Sequence, residues 1–110
     1  MQSSSFEIEI NENYQEEILD YLNKIDRRAQ EYVNRKFEIY TRKGFINCCL
    51  KKDIKNFKNG IYEIRIEYKG MALRFFGSYG NNVFNIVLLL NKKSQKTPNS
   101  EINKALKRIQ

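Results

Sequence analysis

The fold is decided by Gly60-Ile61-Tyr62-Glu63-Ile64-Arg65-Ile66-Glu67-Tyr68-Lys69-Gly70-Met71-Ala72-Leu73-Arg74-Phe75-Phe76. From Ile61 to Tyr68 apolar and charged residues alternate with period two, the pattern of a half-buried strand. Lys69-Gly70 suits a two-residue hairpin turn, with Gly supplying the positive φ that such turns need. Counting back from that turn sets Tyr68 opposite Met71 and Arg65 opposite Arg74. Like charges facing each other across a sheet are destabilising, by some fraction of about 0.2–1 kcal/mol. Two facing guanidiniums suit a surface that receives an anion, which points to phosphate and so to RNA or DNA. The competing reading is structural: Glu63 and Glu67 share the face and can pair diagonally with the arginines.

Working outward, Val83 to Leu90 is apolar on both faces and reads as a central strand, reached through the turn cluster Gly80-Asn81-Asn82. Toward the N-terminus, Phe6-Glu7-Ile8-Glu9-Ile10 alternates as a strand. Asn13-Tyr14-Gln15-Glu16 has the spacing of a capping box, with Asn13 as N-cap. Tyr14, Ile18, Tyr21, Leu22 and Ile25 then recur at helical spacing. A second helix, capped by Asp26, carries the stripe Ala29, Tyr32, Val33, Phe37 and Tyr40 and stops at Gly44. In Phe45 to Asn59, Leu50, Ile54 and Phe57 have the spacing of a short helical turn. Thr97-Pro98 opens a last helix with Ile102, Ala105, Leu106 and Ile109 on one face. The expected architecture is one α+β domain over residues 1–110, in the order β-α-α-β-β-β-α. Its sheet is mostly antiparallel, with an N-terminal helix pair packed on one face.

The chain has 110 residues and a net charge of +7, with 41% hydrophobic and 30% charged residues, values that describe one ordinary globular core with an anionic partner. Much of the excess charge is C-terminal: Lys92, Lys93, Lys96, Lys104, Lys107 and Arg108 stand against Glu101 alone. There is no histidine, which excludes histidine-based triads and His-ligated zinc sites. No Gly-rich phosphate loop is present. Cys48 and Cys49 are adjacent, a poor geometry for a disulfide, and read as free thiols in a reducing compartment. The longest apolar run, Ile86 to Leu90, is too short to span a bilayer, and no signal peptide is visible, so the expected location is cytoplasmic, with no membrane partner. No cofactor or metal is expected. Tyr68, Phe76 and Tyr79 lie near the basic region in sequence, where a base stacks on an exposed ring for roughly 1–3 kcal/mol.

The segments Ile61-Tyr62-Glu63-Ile64-Arg65, Arg74-Phe75-Phe76 and Lys92-Lys93-Ser94-Gln95-Lys96-Thr97-Pro98 together resemble the RelE/HigB superfamily, most closely its phage-derived branch. The resemblance covers nearly the whole chain and is most specific from Gly60 to Arg108. It implies the toxin of a type II toxin–antitoxin pair, a ribosome-dependent mRNA endoribonuclease held inactive by a small antitoxin, often a helix-turn-helix protein. Cleavage in such proteins proceeds by attack of a ribose 2′-hydroxyl on the adjacent phosphate. By position, Arg65 and Arg74 match basic residues at the scissile phosphate. Lys92 and Lys93 match basic residues near the end of the last strand, and Gln95 and Lys96 fall inside the shared motif. Beside the resemblance, the expected RNA- or phosphate-binding residues are Lys92, Gln95, Lys69 and the candidate stacking rings Tyr68, Phe76 and Tyr79.

Lys93 and Lys96 are the candidate general bases, with Tyr79 a more remote one. An ordinary lysine, with a pKa of about 10.4, is rarely deprotonated at neutral pH, but neighbouring arginines lower that value. Two departures stand out: Leu89-Leu90-Asn91 replaces the relatives' His-Gly-Phe before the lysines, and Leu73 stands where a tyrosine is usual. The alternative is a catalytically silent module of the same fold that binds RNA or an antitoxin. A third reading is a basic adaptor for an acidic protein.

Overall fold

A computed structural model describes residues 5–92 and 97–110, without the side chain of Lys58. The elements run β1 (Glu7–Ile10), α1 (Gln15–Lys24), α2 (Arg27–Lys43), α3 (Phe45–Leu50), β2 (Ile54–Asn56), β3 (Tyr62–Tyr68), β4 (Met71–Gly80), β5 (Val83–Asn91) and α4 (Asn99–Ile109), with a 3-10 turn at Lys58–Gly60. The strands form a mixed five-stranded sheet in the order β1-β5-β4-β3-β2. β5, β4, β3 and β2 pair antiparallel in succession, while β1 lies parallel to β5. A parallel pairing needs a long crossover before the chain can return, and α1, α2 and α3 lie in the stretch between β1 and the rest of the sheet.

The β3–β4 hairpin has the register expected from its turn: Tyr68 opposes Met71 and Arg65 opposes Arg74. Lys69 (φ 41°) and Gly70 (φ 85°) both have positive φ, the signature of the primed turns that match strand twist. Asn81 (φ 52°) and Asn82 (φ 63°) do the same for β4–β5. Strand alternation then divides the sheet. Ile64, Ile66, Leu73, Phe75, Phe84 and Ile86 enter one core with Ile18, Val33, Tyr40 and Cys48 of the helices. On the other face Ile61, Phe76, Val87 and Leu88 meet Ala105, Leu106 and Ile109 of α4. Each fully buried side chain of this size contributes roughly 1.5–3 kcal/mol relative to exposure.

Three expectations are corrected. The sequence order omitted two elements: α3, and β2, whose Ile54 is its one buried residue. A three-residue strand with a single inward side chain leaves too little periodicity to read. The helix pair does not pack as a unit on the sheet: α2 makes the main contacts with β1 and β3, whereas α1 lies against α2 and joins the core through Ile18. Finally, α1 starts at Gln15 with no side-chain cap; the Asn11 Oδ1 accepts instead from the Asn13 N–H at 2.9 Å, a local turn that outcompetes the capping box.

Arg108 fastens α4. Its guanidinium donates to both Glu17 carboxylate oxygens (2.7 and 3.0 Å) and to the Val87 carbonyl (2.8 Å), and it lies 4.3 Å from the Tyr14 ring centroid. The hydrogen bonds from Arg108 hold the Glu17 carboxyl below the usual carboxylate range, against a smaller opposing effect of burial. A carboxyl depressed in the folded state contributes stability above its unfolded pKa, and that contribution is lost as pH falls through the folded value.

β4 bends at an irregularity between Phe76 and Gly77, where pairing with β5 slips by one residue. A Cβ at Gly77 would run into the Asn85 backbone carbonyl and the Phe84 ring. Gly77→Ala is therefore expected to cost about 1–3 kcal/mol, the range of core overpacking. A urea denaturation curve of the variant checks this through its midpoint.

Candidate functional site

The strand face that carries Phe76 toward α4 also carries Arg74, Glu63 and Arg65, because β3 and β4 alternate in step. α4 covers the Phe76 end. At the other end Lys52, Asp53, Lys55, Glu63, Arg65, Arg74 and Thr97 line a cavity of about 180 Å³. The loop before β2 and β2 itself bring in Lys52 and Lys55, with Lys55 directly opposite Glu63. Lys52 has φ 65°, so the chain turns sharply as it enters the site.

The two arginines differ in environment. Arg74 has a side chain only 1% exposed and lies 3.7 Å from the equally buried Glu63. The Thr97 hydroxyl bridges them, accepting from Arg74 Nη1 at 2.6 Å and donating to Glu63 Oε2 at 3.2 Å. Burying ions costs several kcal/mol each, offset only when the pair and its hydrogen bonds are well made. Arg65 is 28% exposed, and its nearest carboxylate is the 71% exposed Glu67 at 3.5 Å. Its buried Nε has no hydrogen-bond partner among the described residues. Asp53 already carries an ion pair with Lys43. Lys55 rests its ammonium 4.9 Å from the Phe57 ring centroid at the cavity edge. Four cations against two carboxylates leave the lining of this cavity net positive, with Arg65 as its partly exposed guanidinium.

Of the residues expected from sequence, Arg65 and Arg74 meet here. Lys92 lies just after β5 and pairs with Glu101 at 3.7 Å. Lys93, Gln95 and Lys96 lie outside the described residues. The aromatics and Lys69 are elsewhere. Phe76 is fully buried beneath α4, so it offers no stacking surface. Tyr79 points to the opposite core, stacked on Phe45 at 3.6 Å with its hydroxyl donating to Asn82. Burial raises the Tyr79 phenol pKa, with a further push from Cys49, which makes it a poorer base at neutral pH. Tyr68 also faces the helices, against Tyr32, and Lys69 sits in the turn beside it. Sequence reading missed Lys52, Lys55 and the bridging role of Thr97. Only Lys55 carried a signal, a charge next to the apolar Ile54.

Among the described residues no cluster of His, Cys, Asp or Glu could hold a metal ion. Burial pushes the Cys48 thiol up to about 11, with a further push from Asp53, and also raises that of Cys49, so neither is a ready nucleophile. No helix among the described residues is long and apolar enough to cross a membrane.

The buried bridge sets an order of variant stabilities. Glu63→Ala withdraws the carboxylate from a buried guanidinium and is expected to cost about 3–5 kcal/mol. Thr97→Val removes a hydroxyl hydrogen-bonded to both charged partners and is expected to cost about 1.5–3 kcal/mol. Chemical denaturation of both variants checks the order; equal small losses would mean the bridge does not hold the sheet face.

A family model described as phage derived protein Gp49-like (DUF891) matches residues 20–110. No curated protein and no solved structure matches the chain.

Proposed function

Because the chain belongs to the phage-derived Gp49-like family, which is related to the toxins of toxin–antitoxin systems, we propose that it is the toxin of a type II pair. In this reading it is an mRNA endoribonuclease that acts on the translating ribosome and is neutralised by an antitoxin of the helix-turn-helix kind. The observation that supports the reading is the cavity where Lys52, Lys55, Arg65 and Arg74 converge from three segments on one point. Several cations from different elements at one spot suit a single phosphate better than a diffuse polyanion.

The chemistry assigns distinct tasks. A base takes the proton of the ribose 2′-hydroxyl, whose oxygen attacks the adjacent phosphorus. The bond to the 5′-oxygen then breaks, and that oxygen takes up a proton. The products are a 2′,3′-cyclic phosphate and a 5′-hydroxyl end. Arg65, a partly exposed guanidinium at the cavity whose buried Nε has no hydrogen-bond partner among the described residues, would stabilise the extra negative charge of the phosphorane, an electrostatic task without proton transfer. Arg74, held by Glu63 and Thr97, is a positioning residue that fixes the field around Arg65. Lys52 and Lys55, lining the same cavity, add positive charge around that phosphate. Without histidine, the base falls to Lys93 or Lys96, which follow β5 in the sequence.

One observation favours the second reading, a catalytically silent RNA- or antitoxin-binding module. Arg74 is already engaged by a carboxylate and a hydroxyl, which lowers the charge left for a transition state.

Induced expression with mapping of new mRNA 5′ ends after a few minutes separates the two. Wild type is expected to give cuts within translated frames, and Lys55→Ala/Arg65→Ala to reduce them at least a hundredfold at matched levels of folded protein. Wild type that neither cuts nor arrests growth would leave the silent module. Cuts outside translated frames would overturn ribosome dependence.

A further inference from the structure

The helix side of the sheet carries a second basic feature that the cavity does not use. Arg28, Tyr32 and Arg35 recur at i, i+4 and i+7 along α2 and so share one face. With Glu31 and with Tyr68 from the end of β3 they line an open cleft of about 310 Å³. That is the lower end of the size of small-molecule sites and large enough for one nucleotide. The Tyr32 and Tyr68 rings lie 5.0 Å apart, inclined by 39°. Each has an ammonium near it: Lys36 Nζ lies 5.8 Å from the Tyr32 centroid and Lys69 Nζ 5.5 Å from that of Tyr68. Glu31, the cleft's one carboxylate, is bound to Arg27 at 3.6 Å. Arg28 and Arg35 are exposed and form no ion pair among the described residues.

Half-buried rings flanked by free guanidiniums and lysines are the chemistry of single-stranded nucleic-acid sites. There π-faces take bases without sequence preference and cations track the phosphates. An acidic protein would use the cations but gain little from a tyrosine pair with both rings partly open. We propose that this cleft is a second site for single-stranded RNA, separate from the phosphate cavity, in which a base stacks against Tyr32 and Tyr68 while Arg28 and Arg35 take the flanking phosphates. The choice of RNA over DNA rests on the proposed function; the cleft itself does not.

The path between the two sites supports one continuous strand. Beyond Ile64 no strand among the described residues lies outside β3, because β2 pairs only with Tyr62 to Ile64. Arg65 and Tyr68 are three residues apart on that open edge, roughly 10 Å along the strand, and point to opposite faces. An RNA strand rounding this edge meets the cavity on one face and the tyrosine cleft on the other.

The test is the affinity of a fluorescein-labelled 12-nucleotide single-stranded RNA with a 2′-deoxy backbone at every second position, measured by anisotropy from low to moderate salt. Arg28→Ala/Arg35→Ala is expected to weaken binding tenfold or more and to flatten the log–log salt slope by about 1.4, two phosphates at about 0.7 each. Tyr32→Leu is expected to weaken binding at least fivefold with little change in slope; circular dichroism and melting verify that each variant is folded. Unchanged affinity in the arginine variant would overturn the proposal. So would poly-glutamate displacing the RNA while Tyr32→Leu binds normally, which would mark a plain polyanion patch. Failure of the nuclease reading is a separate result: wild type without cuts in cells, whatever the anisotropy gives.

Discussion

The structure turns on a buried ion pair between adjacent strands. Register forces Arg65 and Arg74 to face each other, and a sheet cannot bury two facing guanidiniums without an acceptor. Glu63, two residues before Arg65 on the same face, supplies one, and Thr97 joins the pair by a hydroxyl that both accepts and donates. The arrangement separates the arginines by role. Arg74 becomes part of the interior, while Arg65 keeps an open side toward the cavity. It also ties the sheet to the chain just before α4.

That division lets one sheet face hold a packed core at one end and a basic cavity at the other. Phe76, Val87 and Leu88 are closed off by α4 through Ala105, Leu106 and Ile109, and Arg108 secures the helix to α1 through Glu17. The remainder of the face stays concave because β2 is short and the chain entering it turns back at Lys52. Lysines on that turn and on β2 then look across at Arg65. In the proposed function, this cavity is where the toxin-related family's chemistry takes place.

Much of this was legible in the sequence where a simple rule governs geometry. The Lys69-Gly70 turn fixed the hairpin register, and with it the facing arginines and the shared face of Glu63. The 3.6-residue stripes of α2 and α4 were equally plain. What was hidden depends on tertiary placement. Phe76 and Arg74 lie on the same side of β4, but only the docking of α4 decides that one is sealed and the other lines a cavity. Tyr68 and Tyr79 are close to the arginines in sequence, yet the alternation of the strands turns both to the helix side. Lys55 could not be placed because β2 has a single buried residue, Ile54. Thr97 was read as a helix start; its bond to strands more than twenty residues away has no local signature.

The central claim is that Arg65 meets the phosphate and Arg74 supports it from within. The most direct measurement is NMR of the two arginine Nε–H groups during titration with a 2′-deoxy dinucleotide, which binds without being cleaved. The account predicts a saturable shift at Arg65 Nε and little change at Arg74 Nε. A larger shift at Arg74, or none at Arg65 when the dinucleotide is bound, would contradict it.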